Sequence, residues 1–128
     1  MASRKNEIKT NIEANSEGFI KAMDEVKRSI SSTRTEFANI NAIMKSTGET
    51  TDQLRGHKKQ LQTEIDNTKS RLDTLNKGLE ESIKVNGEES EATRIAREEV
   101  QKASTHYENL KQKLKEVNDK FYEVYSEW

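Results

Sequence analysis

The sequence predicts an all-α protein, an antiparallel three-helix coiled-coil bundle preceded by a short N-terminal arm. Three observations lead to this prediction. The 128 residues include no proline, so no run is interrupted by a missing backbone donor. Apolar residues recur at alternating spacings of three and four through three long runs, which is typical of supercoiled helices. Glycine-containing turns separate these runs at Gly48 and Gly87.

The N-terminal arm, residues 1–15, has a different pattern from the helical domain, residues 16–128. Apolar or small residues alternate with polar ones at Ile8, Thr10, Ile12 and Ala14. A period of two is compatible with a half-buried strand. In an otherwise helical chain, a lone strand at residues 8–14 would need to pair with a second copy or another protein; the alternative is a flexible arm.

Three runs define the predicted helices, at about residues 17–46, 51–85 and 90–128. We call their apolar positions the seam. In the first run the seam consists of Phe19, Met23, Val26, Ile30, Thr33, Phe37, Ile40 and Met44. In the second run it consists of Leu54, Lys58, Leu61, Ile65, Thr68, Leu72, Leu75 and Leu79. In the third run it consists of Ala96, Val100, Ala103, Tyr107, Leu110, Leu114, Val117, Phe121, Val124 and Trp128.

The two turns predict that the chain folds back on itself, because short connections favour antiparallel neighbours. Glycine adopts the left-handed conformation that ends a helix, and Thr50 with Gln53 forms a capping box after the first turn. The predicted register sets the following pairs opposite each other: Met44 with Leu54, Phe19 with Leu79, Leu79 with Ala96, and Leu54 with Phe121. An open rod, with seams buried between copies, is the alternative arrangement.

The register gives eight layers of three residues, one of which contains a lysine. This layer joins Ile40, Lys58 and Val117. A lysine stem packs against apolar neighbours while its ammonium group reaches solvent. A single polar position in a seam also helps to specify register.

Composition argues against several functional classes. Lysine and arginine number 22 against 23 acidic residues, so the net charge is −1, and a nucleic-acid binder would usually carry a basic stripe. No apolar run approaches the length of a membrane span. There is no cysteine, and His57 and His106 fall in different layers, which favours solvated helix positions for both. The sequence therefore predicts no catalytic, cofactor-binding or metal-binding residue, and a protein that is not an enzyme.

The seam continues to Trp128, without a glycine or a polar tail after it. Natural chain ends more often fray into polar residues. We therefore expect the chain to be the N-terminal piece of a longer protein.

Several stretches carry a resemblance that covers nearly the whole chain. They are the Ile8–Ile12 arm, Ser16-Glu17-Gly18-Phe19, Phe37-Ala38-Asn39-Ile40-Asn41-Ala42-Ile43-Met44-Lys45-Ser46-Thr47-Gly48, Thr51-Asp52-Gln53-Leu54, the heptad helix Leu61–Leu79, and Asn86-Gly87-Glu88-Glu89-Ser90-Glu91-Ala92-Thr93. Together they resemble the N-terminal segment of the tail tape measure proteins of long-tailed phages and prophages.

This resemblance implies a structural role in the virion tail, and in the host cytoplasm during assembly. Tape measure proteins are long helical chains whose length sets tail length, and their partners are the tube, tip and assembly chaperone proteins of the tail. Self-association through the seam or residues 8–14 is also expected. An extended ruler conflicts with hairpins, so this segment either lies outside the ruler or opens in the tube. The alternative function is a cytoplasmic coiled-coil adaptor or tether without a viral role.

Overall fold

The computed structural model describes residues 4–12, 16–45 and 51–126. These residues form four α-helices and no strand: α1 (Arg4–Asn11), α2 (Ser16–Lys45), α3 (Thr51–Asn86) and α4 (Glu91–Ser126). The all-α prediction is confirmed. The ends of the long helices lie within one residue of the predicted positions wherever those positions are described. The predictions for Gly48, Thr50 and Trp128 lie outside the described residues.

Of the two alternatives for residues 8–14, a strand and a flexible arm, the strand is wrong for its described part, because α1 is a helix. Ile8 and Ile12 are four residues apart, a spacing that fits one side of a helix as well as it fits alternation. Both side chains are buried in the core, and burying them together favours the helix. Glu13 and Ala14 lie outside the described residues.

Helices α2 and α3 run in opposite directions. Near one end of the pair, His57 Nδ1 lies 3.4 Å from Glu36 Oε1. Near the other end, the ring of Phe19 lies against the bare backbone of Gly78. Residues early in α2 therefore meet residues late in α3, as expected for a chain that reverses between the two helices.

Helices α3 and α4 are also antiparallel. The Ser82 and Thr93 hydroxyls hydrogen-bond at 2.8 Å close to the connection. At the far end, Lys58 Nζ lies 5.5 Å from the centre of the Phe121 ring. Lys58 is half-buried, so its stem packs between the helices while its ammonium group sits over an aromatic face, where a cation is stabilised by the ring electrons.

The connection between α3 and α4 shows the predicted left-handed glycine. Gly87 has φ of 86°, and its N–H donates to the Ile83 carbonyl at 3.0 Å, which satisfies an end carbonyl of α3. Ser90 then caps α4, because its Oγ accepts the Thr93 N–H at 3.1 Å. Four residues, 87–90, therefore end α3 and begin α4.

The apolar core lies in two clusters along the helices. The cluster near α1 contains Ile8, Ile12, Phe19, Ala22, Met23, Val26, Leu75, Ala92, Ile95, Ala96 and Ala103. The cluster at the other end contains Ile40, Leu54, Leu61, Ile65, Leu110 and Val117. The seam supplies most of these residues, but α1 and positions beside the seam also contribute, so the buried stripe is wider than the sequence predicted.

Two glycines of α3 provide a matched stability test. A Cβ at Gly78 would lie 3.0 Å from Cε2 of buried Phe19 and closer still to Cδ2, whereas a Cβ at Gly56 would meet nothing within 4 Å. We expect Gly56→Ala to stabilise the fold by about 0.5–1 kcal/mol through helix propensity. Gly78→Ala should instead destabilise it by about 1–3 kcal/mol through overpacking. Urea unfolding of both variants measures this, and equal effects would contradict the packing of Phe19 on Gly78.

Candidate functional site: a polar network between three helices

A polar network joins α2, α3 and α4 between the two apolar clusters. Ser29 Oγ lies 2.8 Å from His106 Nε2 and 2.5 Å from Glu64 Oε1. Each of the three side chains comes from a different helix. Ser29 and His106 are both about 5% exposed. The three residues therefore form a chain of hydrogen bonds across the interior.

Arg71 and Glu25 extend the network toward the surface. Arg71 Nη1 donates to Glu64 Oε1 at 2.8 Å, and Arg71 Nε donates to Glu25 Oε2 at 3.0 Å. Glu64 and Arg71 are seven residues apart on α3, so they lie along the same side of that helix. The guanidinium group places positive charge beside the inner carboxylate, and this charge compensates for the carboxylate's partial burial.

The geometry assigns the protons in this network. Ser29 has one hydroxyl proton and donates it to Glu64, so the Ser29 oxygen accepts from His106. His106 therefore carries a proton on Nε2. In this arrangement His106 is a donor to Ser29 and is not placed as a base that would activate a serine nucleophile. The network orients side chains and joins helices.

Burial and hydrogen bonding shift the pKa values of His106 and Glu64 in directions that stabilise the network at neutral pH. Burial lowers the pKa of His106, against a smaller opposing effect of the Glu64 charge. Burial alone would raise the pKa of Glu64, but the hydrogen bonds from Ser29 and Arg71 outweigh it, so that pKa lies below its ordinary value. At neutral pH the network therefore contains a neutral imidazole and an ionised carboxylate.

The expectation of a solvated His106 is wrong. His106 immediately precedes the seam residue Tyr107, and its burial against Ser29 of α2 shows that α4 also buries a position beside its seam. The same flanking position is buried at Glu99, seven residues earlier. The sequence carries no separate signal for this site, because a heptad pattern does not specify how far burial extends beside the seam. His57, the other histidine, is half-buried beside Glu36.

A second polar cluster connects α1 to the rest of the protein. Arg4 donates to Glu98 at 3.0 Å and to Glu99 at 2.8 Å, and Glu99 is only 3% exposed. The hydrogen bond from Arg4 lowers the pKa of Glu98. Lys5 Nζ lies 3.0 Å from Asp24 Oδ2 on α2. The basic end of α1 is therefore bound to carboxylates on two other helices.

Neither a metal site nor a membrane span is found in the part of the chain that the structure describes. Across residues 4–12, 16–45 and 51–126, no three histidine, aspartate or glutamate side chains gather closely enough to hold a metal ion. Within the same residues, no helix combines the length and apolar character needed to cross a bilayer.

The network predicts a loss of stability in acid that begins with His106. The unfolded chain takes up a proton as pH falls through the ordinary histidine value of 6.5, while folded His106 resists it because its pKa is lowered. The free energy of unfolding therefore falls as pH drops below about 6.5. A further loss follows below the ordinary glutamate value of 4.5, because folded Glu64 also has a lowered pKa.

His106→Gln should remove the first of these two losses and leave the second, because glutamine still donates a hydrogen bond but does not titrate. Urea unfolding midpoints measured from pH 8 to pH 3.5 test this. An unchanged slope between pH 7 and pH 5 in the variant would show that another group causes the first loss.

Comparisons with known proteins find no matching family model, no curated protein with significant similarity to the chain, and no solved structure with a significant match.

Proposed function

We propose that α2, α3 and α4 form an antiparallel three-helix coiled coil, with α1 added as a fourth helix at one end. Contacts at both ends of each antiparallel pair support this arrangement, as do the contacts between α2 and α4. Lys113 of α4 donates to Asn41 of α2 at 2.9 Å and lies 5.2 Å from the centre of the Phe37 ring. Together with the Ser29–His106 hydrogen bond, these contacts make α2 and α4 parallel neighbours.

A cysteine pair at Glu36 and His57 tests the folded-back form. The chain has no cysteine of its own, and the two side chains meet at 3.4 Å between α2 and α3. A short bismaleimide should link the pair within one chain at high dilution. A control pair at Thr10 and Lys115, on exposed surfaces of α1 and α4, should remain unlinked. Links found only between chains would indicate an open, oligomeric rod.

As its function, we propose an N-terminal segment of a phage tail tape measure protein, a helical scaffold in tail assembly and tail-length determination. The observation that carries this proposal is that three long helices pack side by side, so the folded segment is much shorter than the same helices placed end to end. Helices α2, α3 and α4 contain 30, 36 and 36 residues. At about 1.5 Å per residue they would span roughly 150 Å end to end, against roughly 54 Å when packed side by side.

The interior is suited to opening, because many of its buried side chains are polar. They are Ser29, Thr33, Thr68, Ser82, Thr93, Glu99 and His106. All of these side chains except Thr68, whose buried Oγ1 has no hydrogen-bond partner among the described residues, pair inside the fold. Paired groups also pair with water when exposed, so their net contribution to stability is only about 1 kcal/mol each. Opening therefore loses less free energy than it would for a fully apolar interior.

The partners in this proposal are the tube, tip and assembly chaperone proteins of the tail. The segment acts in the host cytoplasm during assembly and in the virion tail afterwards. These partners follow from the resemblance of the arm and turns to tape measure proteins, and the open, extended helices would lie along the tube axis.

Deleting matched heptads from the full-length protein in its phage tests this role. Residues 37–43, 55–61 and 114–120 are one heptad from each helix at the same level, so their joint removal preserves the seam register. If the segment is an extended ruler, the tail should shorten by about 30 Å, which is 1.5 Å for each deleted residue. If it stays folded in the tube, the loss should be about 10 Å. Electron microscopy of tails measures the difference.

Duplicating the same three heptads is the matched control, and it should lengthen the tail by the same amount. Tails of unchanged length in both variants would contradict a length-determining role. Normal tails in a phage lacking the whole segment would contradict the scaffold role and favour an adaptor function.

A further inference from the structure

Helix α1 occupies an apolar groove formed mainly by α2 and α4. Ile8 of α1 and Ile12, the residue that follows α1, are 0% and 1% exposed. They belong to the same buried cluster as Phe19, Ala92, Ile95 and Ala96. Small alanine side chains on α4 leave room for the two isoleucines. A short helix can bind a groove in this way, through apolar residues spaced four apart.

The rim of the groove is complementary to α1 in charge. Arg4 binds Glu98 and the buried carboxylate of Glu99, while Lys5 binds Asp24 on the opposite rim. Beyond the C-terminal end of α1, the Asn86 side chain donates to the Asn11 carbonyl at 2.7 Å. The groove thus recognises both ends of α1 and the apolar side between them.

Helix α1 depends on this groove for its structure. It has eight residues, and isolated helices shorter than about 12 residues are marginal in water. Without Arg4, the buried Glu99 would retain Lys102, at 3.4 Å, as its partner. The groove therefore stabilises α1 and keeps a partner for Glu99 without it, and every copy of the chain carries both parts.

Ile8 of α1 and the following Ile12 are in phase with the seam of α2. Ile12 and Phe19 are seven residues apart, and Ile8 lies four residues before Ile12. Between the two helices the sequence reads Glu13-Ala14-Asn15, without glycine or proline. A continuous helix from α1 through α2 would therefore carry Ile8 and Ile12 on the same stripe as Phe19, projecting beyond the chain's own core.

We propose that α1 is exchanged between two copies of this chain, so that α1 of each copy binds the groove between α2 and α4 of the other. The exchanged form uses the same contacts as the closed form, which is the condition for domain swapping. Lys5 of α1 meets Asp24 of α2, which lies eight residues into that helix, so a continuous helix through both would carry α1 away from its own groove. In the closed form α1 is tethered next to its own groove at a high effective concentration, so dilute chains remain monomeric.

Two substitutions in the connection test the exchange in the full chain. Glu13→Ala together with Asn15→Ala gives three consecutive alanines, which favour a continuous helix. We expect this connection variant to form a dimer of about 29 kDa, twice the 14.7 kDa of one chain, by light scattering after size exclusion. The wild-type chain should form the same dimer only at a higher concentration, because its tethered α1 competes for the groove. A monomeric connection variant with intact helical circular dichroism would overturn the proposal.

Three further changes in the connection variant identify the contact. Ile8→Asp should restore the monomer, because a charge does not enter the apolar groove. Thr10→Asp, on the exposed side of α1, should leave the dimer intact. Arg4→Glu leaves the core unchanged and should weaken the dimer about tenfold, since it repels Glu98 and Glu99. A dimer that survives both Ile8→Asp and Arg4→Glu, or one that Thr10→Asp abolishes, would show association through another surface and overturn the proposal.

Discussion

The structure depends on the burial of an apolar stripe that contains few large side chains. Leucine, isoleucine, valine and phenylalanine together make up only 24 of the 128 residues. They are concentrated on one side of each long helix, and polar side chains complete the interior between the two apolar clusters. Because an unpaired polar group in that position would be destabilising, Ser29, Glu64 and His106 meet one another there.

The periodic part of this fold could be predicted from the sequence, and the positions beside the seam could not. Helix ends and the left-handed Gly87 follow from local chemistry that one chain segment contains by itself. The burial of His106 depends on how closely the neighbouring helices pack against α4 at that level, which a heptad pattern does not specify. For α1, the spacing of Ile8 and Ile12 suits a strand and a helix equally, and only the groove decides between them.

The two polar clusters share one side of α4. Glu99, which binds Arg4 of α1, and His106, which binds Ser29 of α2, are seven residues apart and point in similar directions. Contacts that fix the arm and contacts that join the long helices thus lie next to each other along a single helix. Displacement of α1 would remove the positive charge of Arg4 from Glu99, which lies seven residues before His106 on the same side of α4.

The Arg4–Glu98 contact joins residues separated by 94 positions in the chain. During synthesis α1 leaves the ribosome first, but the acidic rim that binds it belongs to α4, the last helix described. At a synthesis rate of about 5–20 residues per second, roughly 5–20 s pass between the synthesis of α1 and the completion of its groove. In that interval Ile8 and Ile12 are exposed on the nascent chain, and neighbouring ribosomes on the same message hold older chains whose grooves are already complete.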